Sequence, residues 1–153
     1  MRKTIFTLGH SSLPWEEFLA LLREHGIDVV VDVRRFPTSK KHPQFTKESL
    51  ARGLAQAGIR YEWLGEELGG YRRGGYEAHM RSQAFRAGIE RLLSLAEDGR
   101  VAIMCAERAP EGCHRRFIAA HLVSLGVRVI HILGPGRTRE EPPGWFSLAD
   151  EPL

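Results

Sequence analysis

Asp28-Val-Val-Val-Asp32-Val33 is an unbroken β-branched run. A strand with no polar side to present to water must be covered on both faces, which is the situation of a central strand in a parallel sheet. The flanking sequence supplies the cover. Between Pro14 and His25, apolar residues at Trp15, Phe18, Leu19, Leu21 and Leu22 trace a helix face, with Ser12 as a cap and Gly26 as a stop. Beyond the run, Thr46 caps a predicted helix over 47–57 that Gly58 ends. Further strands are predicted at Thr4–Leu8, Arg60–Leu64, Val101–Met104 and Val127–Ile132, and further helices at Gln83–Glu97 and His114–Ser124. Strand and helix alternate throughout. Parallel neighbours need crossovers, and the crossovers cover the sheet, so the prediction is a three-layer α/β/α domain with a mostly parallel sheet of about five strands.

The 153 residues, 42 % of them apolar, suffice for one core. Residues 1–133 are expected to form the single α/β domain. Residues 134–153 read as a Pro-rich tail without periodicity, in which Trp145 and Phe146 are anchors either to the same chain or to a partner copy. A homo-oligomer therefore stays open. Only two cysteines occur, with no secretory leader and no apolar run of membrane-spanning length, so the expectation is a cytoplasmic protein with reduced thiols and no membrane partner. The net charge of +3 favours an anionic partner only weakly.

In a parallel sheet the strand exits share one edge, where open α/β folds place their ligands. Here every exit carries reactive or anion-friendly groups. His10 and Ser11 follow the first strand, Asp32, Arg34 and Arg35 the second, and Glu66 with Gly69, Gly70, Tyr71, Arg72 and Arg73 the third. The fourth exit brings Cys105, Glu107, Cys113 and His114, and the fifth His131.

Cys113 opens a helix, where free backbone amides, the helix dipole and the following His114, Arg115 and Arg116 favour a thiolate. Cys105 ends an apolar strand, where a small thiol also packs well as core. A cysteine-phosphatase loop would place Arg at the sixth position after the cysteine, and Glu111 stands there instead, which excludes that signature. A zinc site from Cys105, Glu107, Cys113 and His114 lacks the paired short spacings of metal motifs. Neither metal nor cofactor is expected. Asp32 and Arg34 lie two apart in an extended segment and so share a face, either as a structural ion pair or as one that aims Arg34 at an anion. His10 is an acid or base candidate because an unperturbed imidazole titrates near neutrality.

From Arg34 to Lys47 there are five Lys or Arg and no acidic residue, and Tyr71–Tyr76 adds basic, aromatic and glycine residues. Such a mixture suits phosphates and stacked bases, although a solvated basic loop has the same composition.

Several blocks together resemble a known family. They are Thr7-Leu-Gly-His10-Ser, Asp32-Val-Arg34 with Pro37 and Ser39, Leu64-Gly65 with Leu68-Gly69-Gly70, and Cys105-Ala-Glu107, Pro110, Cys113-His114-Arg115 with Ile118-Ala119. In this order they resemble the domain-of-unknown-function 488 family, the Cys-Ala-Glu to Cys-His-Arg block being the most specific. The resemblance implies an α/β domain of bacterial and archaeal type and leaves the reaction open.

The functional expectation is an enzyme, a hydrolase or group transferase, acting on a phosphate-bearing nucleotide or nucleic acid at the carboxyl edge of the sheet. Cys113, Glu107, His114, His10 and Asp32 are the catalytic candidates. Ser11, Arg34, Gly69, Gly70, Arg72, Cys105 and Arg115 are the substrate-binding candidates. The rival expectations are a non-catalytic nucleic-acid binding module built on the basic loops, and a protein that senses metal or redox state through its Cys and His residues.

Overall fold

The computed structural model describes residues 3–142, and residues 143–153, with Trp145 and Phe146, lie outside them. Six strands form one sheet in the order β3-β2-β4-β1-β5-β6. β1 (Thr4–Gly9), β2 (Val29–Asp32), β3 (Arg60–Trp63), β4 (Val101–Cys105) and β5 (Arg128–Gly134) are parallel to their neighbours among these five. β6 (Arg137–Glu140) turns back antiparallel to β5. The connecting helices are α1 (Trp15–Glu24), α2 (Lys47–Gln56), α5 (Gln83–Asp98) and α6 (Arg115–Ser124), with two short helices, α3 (Gly65–Leu68) and α4 (Tyr76–His79), between β3 and α5.

The strand alternation sorts the core into two halves. Phe6, Leu8, Val30, Ala102 and Met104 face one side, where they meet Phe18 and Leu22 of α1 and Leu50 and Leu54 of α2. Ile5, Val29, Val31, Ile103 and Val129 face the other side and meet Phe85, Ile89 and Leu92 of α5 and Ile118 and Leu122 of α6. Val30, Val31 and Ile103 are fully buried, as the β-branched run requires. The protein is thus an α/β/α sandwich. Among the described residues no helix is long and apolar enough to cross a membrane.

The strand order also locates the crevice. From β1 to β2 and on to β3 the chain moves one way across the sheet, and from β3 to β4 and on to β5 it moves the other way. Right-handed crossovers running in opposite directions put their helices on opposite faces. The loop leaving β4 therefore departs from those leaving its neighbours β1 and β2, which opens the carboxyl edge beside β4. On the β1 side this gap is zipped shut. The His10 and Ser11 amides donate to the Cys105 and Ala106 carbonyls, each at 2.9 Å. Gly9 permits this approach, since a Cβ there would lie 1.6 Å from the Glu107 carbonyl oxygen. The β2 side stays open.

Besides the short helices α3 and α4, which the sequence reading does not predict, three details differ from it. Residues 137–140, expected in a tail without internal structure, form β6 after the Gly134-Pro-Gly136 turn, with Gly136 at φ +64°. The register of β5 and β6 gives no period to read, because every residue of β6 is exposed. α1 starts after Pro14 with no side-chain cap, so Ser12 does not cap it. Thr46 does precede α2, but its hydroxyl donates to the Pro43 carbonyl at 3.0 Å instead of accepting from a helix amide.

Candidate active site

Alternation along β4 puts Cys105 on the same face as Ile103, toward α6. The chain then makes a loop and a short turn at Pro110–Gly112 before Cys113 delivers it to α6. The two sulfurs thereby meet: Cys113 Sγ lies 2.7 Å from Cys105 Sγ. Cys113 Sγ also receives the Arg115 amide at 3.4 Å and lies 3.6 Å from His114 Nδ1. Cys105 is buried and Cys113 half-buried, both as free cysteines.

Their proton affinities split. The contact with Cys105 is the largest influence on Cys113 and, with His114 and the Arg115 amide, overcomes burial to bring its thiol down to about 4. Burial, then the bond to Cys113, pushes the Cys105 thiol up, although Arg115 nearby pulls it back. Of the two sulfurs, Cys113 is thus the one that ionises more readily.

His114 is held for this contact. Its Nε2 lies 3.0 Å from the Val33 carbonyl, which can only accept, so Nε2 is the donor there and Nδ1 faces the sulfur. Gly70 backs the imidazole, and a Cβ there would sit 3.1 Å from Nδ1. The arrangement is a nucleophile, an adjacent imidazole and a carbonyl that orients the imidazole.

Around it three arginines act as struts. Arg34 grips Asp32 with Nε at 2.9 Å and Nη2 at 2.7 Å, and its Nη1 donates to the Phe45 carbonyl at 2.6 Å. Asp32 in turn accepts the Tyr61 hydroxyl at 2.7 Å, so this fully buried carboxylate has both oxygens engaged. Burial, with the carboxylate alongside, pushes the Tyr61 phenol up. Arg115, 1 % exposed, donates to Thr7 Oγ1 and to the Glu107 and Arg108 carbonyls, tying the loop after β4 to β1. Arg72 donates to the Gly65, Glu66 and Gly69 carbonyls, closing the end of α3. His10 is buried, stacked at 4.3 Å on Phe45, with Nδ1 2.9 Å from the Ser11 carbonyl. Its burial is the main reason that its pKa falls to about 4, and the Arg34 charge adds to the fall.

The open side is a cleft of about 470 Å³ at the exits of β2, β3 and β4. Cys105, Cys113, His114 and Glu107 line one wall, with Gly70 against His114, and Arg34, Arg35, Phe36, Thr38 and Tyr71 the other. The structure thus brings six of the sequence-derived candidates to one cavity: Cys105, Glu107, Cys113, His114, Gly70 and Arg34. Asp32, His10, Ser11, Gly69, Arg72 and Arg115 are not among its lining residues. Of these, Asp32, His10 and Arg115 are buried, and Arg72 and Arg115 tie loop carbonyls together. Conversely, Arg35, Phe36 and Tyr71 gain weight. Phe36 and Tyr71 are 63 % and 85 % exposed with ring centroids 5.9 Å apart, and Arg35 Nη1 holds the Tyr71 carbonyl at 2.7 Å. Tyr71 has φ +59°, an uncommon backbone state for a bulky residue. The basic and aromatic composition of the two loops signalled this wall, but alternation singled out Arg34, whose donors are spent internally. Among the described residues no three His, Cys, Asp or Glu side chains gather as a metal ion would need.

Comparison with protein families places these features in a wider group. The model described as Domain of unknown function DUF488 matches residues 14–122, most of the chain. The protein belongs to that family. The match takes in β2, the Gly69-Gly70 loop, β4, both cysteines and most of α6, so the DUF488 region contains every residue lining the cleft. His10 and Ser11 precede it and His131 follows it. No curated protein and no solved structure matches the chain.

Proposed function

We propose that the protein is an enzyme, a hydrolase or group transferase, whose cleft takes a phosphate-bearing nucleotide or nucleic-acid substrate and whose nucleophile is Cys113. The observation that carries this reading is the triad of contacts at Cys113: the Cys105 thiol at 2.7 Å, His114 Nδ1 at 3.6 Å, and the Val33 carbonyl fixing His114 at 3.0 Å. A low-pKa thiolate beside an oriented imidazole in a cavity is suited to attack on an electrophilic centre. In this scheme the sulfur bonds to the transferred group, His114 moves protons at Nδ1, and Glu107 on the rim serves the leaving group or the incoming water.

The anion-binding role shifts from Arg34, Arg72 and Arg115, which are engaged chiefly with backbone carbonyls, Asp32 and Thr7, to Arg35. It lines the cleft with one Nη on Tyr71 and its remaining N–H groups available to phosphate oxygens. Phe36 and Tyr71 give a planar base two exposed rings at the mouth. The test is a thermal-shift screen of the native chain against nucleotides, sugar phosphates and short oligonucleotides, followed by turnover assays of any stabilising ligand. The expected result is a nucleotide or oligonucleotide hit that Arg35→Ala weakens and whose turnover Cys113→Ser abolishes. Binding that is steeply salt-dependent, indifferent to Cys113→Ser and without turnover would instead mark a non-catalytic nucleic-acid binding module.

A further inference from the structure

Cys105 and Cys113 are closer than the group-transfer reading requires. A nucleophilic cysteine needs a base and an oxyanion site, not a second sulfur, yet the second sulfur is the nearest group to it, at 2.7 Å. A disulfide bond measures ~2.05 Å, so these atoms are within a small side-chain movement of bonding distance. The two sulfurs are also differently placed. Cys113 is half-buried on the cleft wall at the start of α6, while Cys105 is 2 % exposed at the end of β4. The cationic side chain of Arg115 is buried nearby and favours a thiolate at Cys105.

We propose that Cys113 and Cys105 form a two-electron redox couple that reduces small hydroperoxides, with Cys113 as the attacking sulfur and Cys105 as the resolving one. The Cys113 thiolate attacks the terminal oxygen of the hydroperoxide. An S–O bond forms, the O–O bond breaks, and the departing alkoxide or hydroxide takes a proton from solvent to leave as an alcohol or water. Cys113 is now a sulfenic acid, oxidised by two electrons, and the peroxide is reduced by the same two. Cys105 then loses its proton and attacks the sulfenic sulfur. The S–S bond forms, the S–O bond breaks, and hydroxide leaves as water with that proton. An added dithiol returns two electrons and two protons and restores both thiols. This chemistry rests on the sulfur geometry and stands whatever substrate the cleft takes, and its oxidised state removes the nucleophile from any group transfer.

The experiment treats the reduced full-length chain with an equimolar amount of hydrogen peroxide near neutral pH and follows intact mass and free thiols. Wild-type protein is expected to lose about 2 Da and both thiols, with peptide mapping joining residues 105 and 113. Cys105→Ser is expected to gain about 16 Da and to bind a dimedone probe at Cys113, while Cys113→Ser keeps its mass. Should a variant fail to fold, wild type alone decides by product: the native chain is expected to stop at the 105–113 bond without a dimedone adduct, whereas the urea-unfolded chain, whose sulfurs are not held together, leaves a larger share as sulfenic acid that dimedone traps. Native protein that keeps both thiols, or whose dimedone adduct matches that of the unfolded chain, overturns the proposal, as does Cys113→Ser consuming peroxide at the wild-type rate.

Discussion

The Cys113 thiolate has a kinetic signature that can be worked out in advance. An ordinary thiol with a pKa of about 8.5 is only about 0.3 % ionised at pH 6. With its pKa at about 4, Cys113 is ionised throughout the range above pH 5. Intrinsic nucleophilicity falls as basicity falls, with a Brønsted slope of about 0.45, and across this gap that makes the Cys113 thiolate roughly a hundredfold weaker per ion. The two effects nearly cancel. At pH 6 alkylation of Cys113 is expected to be only about threefold faster than that of a free cysteine, and at pH 9 much slower. The decisive observable is therefore the shape of the profile and not the rate at one pH. Peptide-resolved iodoacetamide labelling from pH 5 to 9 should give a flat rate for Cys113, where an ordinary thiol gains about tenfold per unit up to its pKa. Cys105→Ala removes the largest contribution to the low value, so the inflection should move upward and a slope should appear. A wild-type rate that climbs tenfold per unit through neutrality, or an identical profile in Cys105→Ala, would refute the reasoning.

Other consequences are equally specific. His10 is held neutral chiefly by burial, with a folded pKa of about 4 against an ordinary value of 6.5, so its contribution to stability is complete above about pH 6.5 and drains away as pH falls toward 4. The loss reaches about 3 kcal/mol, and urea melts of His10→Gln should show a correspondingly shallower acid dependence than wild type. Arg34→Ala leaves the Asp32 carboxylate buried without its cation and should cost about 3–5 kcal/mol by denaturant titration, whereas Arg35→Ala should stay within about 0.5 kcal/mol. Ligand affinity should show the reverse dependence, and equal stability losses would count against the division between strut and cleft arginine. Gly70→Ala presses a methyl group on the His114 ring, and is expected to lower turnover by up to about tenfold while leaving the melting temperature close to wild type.

Much of the fold was legible in the sequence because its signals are local. The Val29–Val33 run and the helix faces between Pro14 and His25 and between Gln83 and Glu97 have periods that report burial directly, and the observed elements follow them within a residue or two. β6 and the short helices α3 and α4 carried no such period: β6 is wholly exposed, and four-residue helices are shorter than the repeat that reveals an amphipathic face. The site was legible in part for the same reason. Strand exits pointed to Cys105, Glu107, Cys113 and His114, which do share a cleft. Asp32 and Arg34 do pair, as their spacing in an extended segment allowed, yet the pairing itself consumes the guanidinium. Which of two adjacent arginines faces a cavity depends on how the chain turns after β2, and that turn is set by non-local partners: Phe45 for Arg34 and Tyr71 for Arg35. Likewise, nothing in the spacing of two cysteines with seven residues between them states that the sulfurs touch, since the intervening loop is shaped by Arg115 reaching back to Thr7 and to the Glu107 carbonyl.

The most direct test of Cys113 as the nucleophile is rapid acid quench of the native chain with the ligand that stabilises it, followed by intact-mass and peptide analysis. A transient adduct on Cys113 that rises before product, and is absent with Cys113→Ser, is the result expected here. Product formed at an undiminished rate by Cys113→Ser would contradict it.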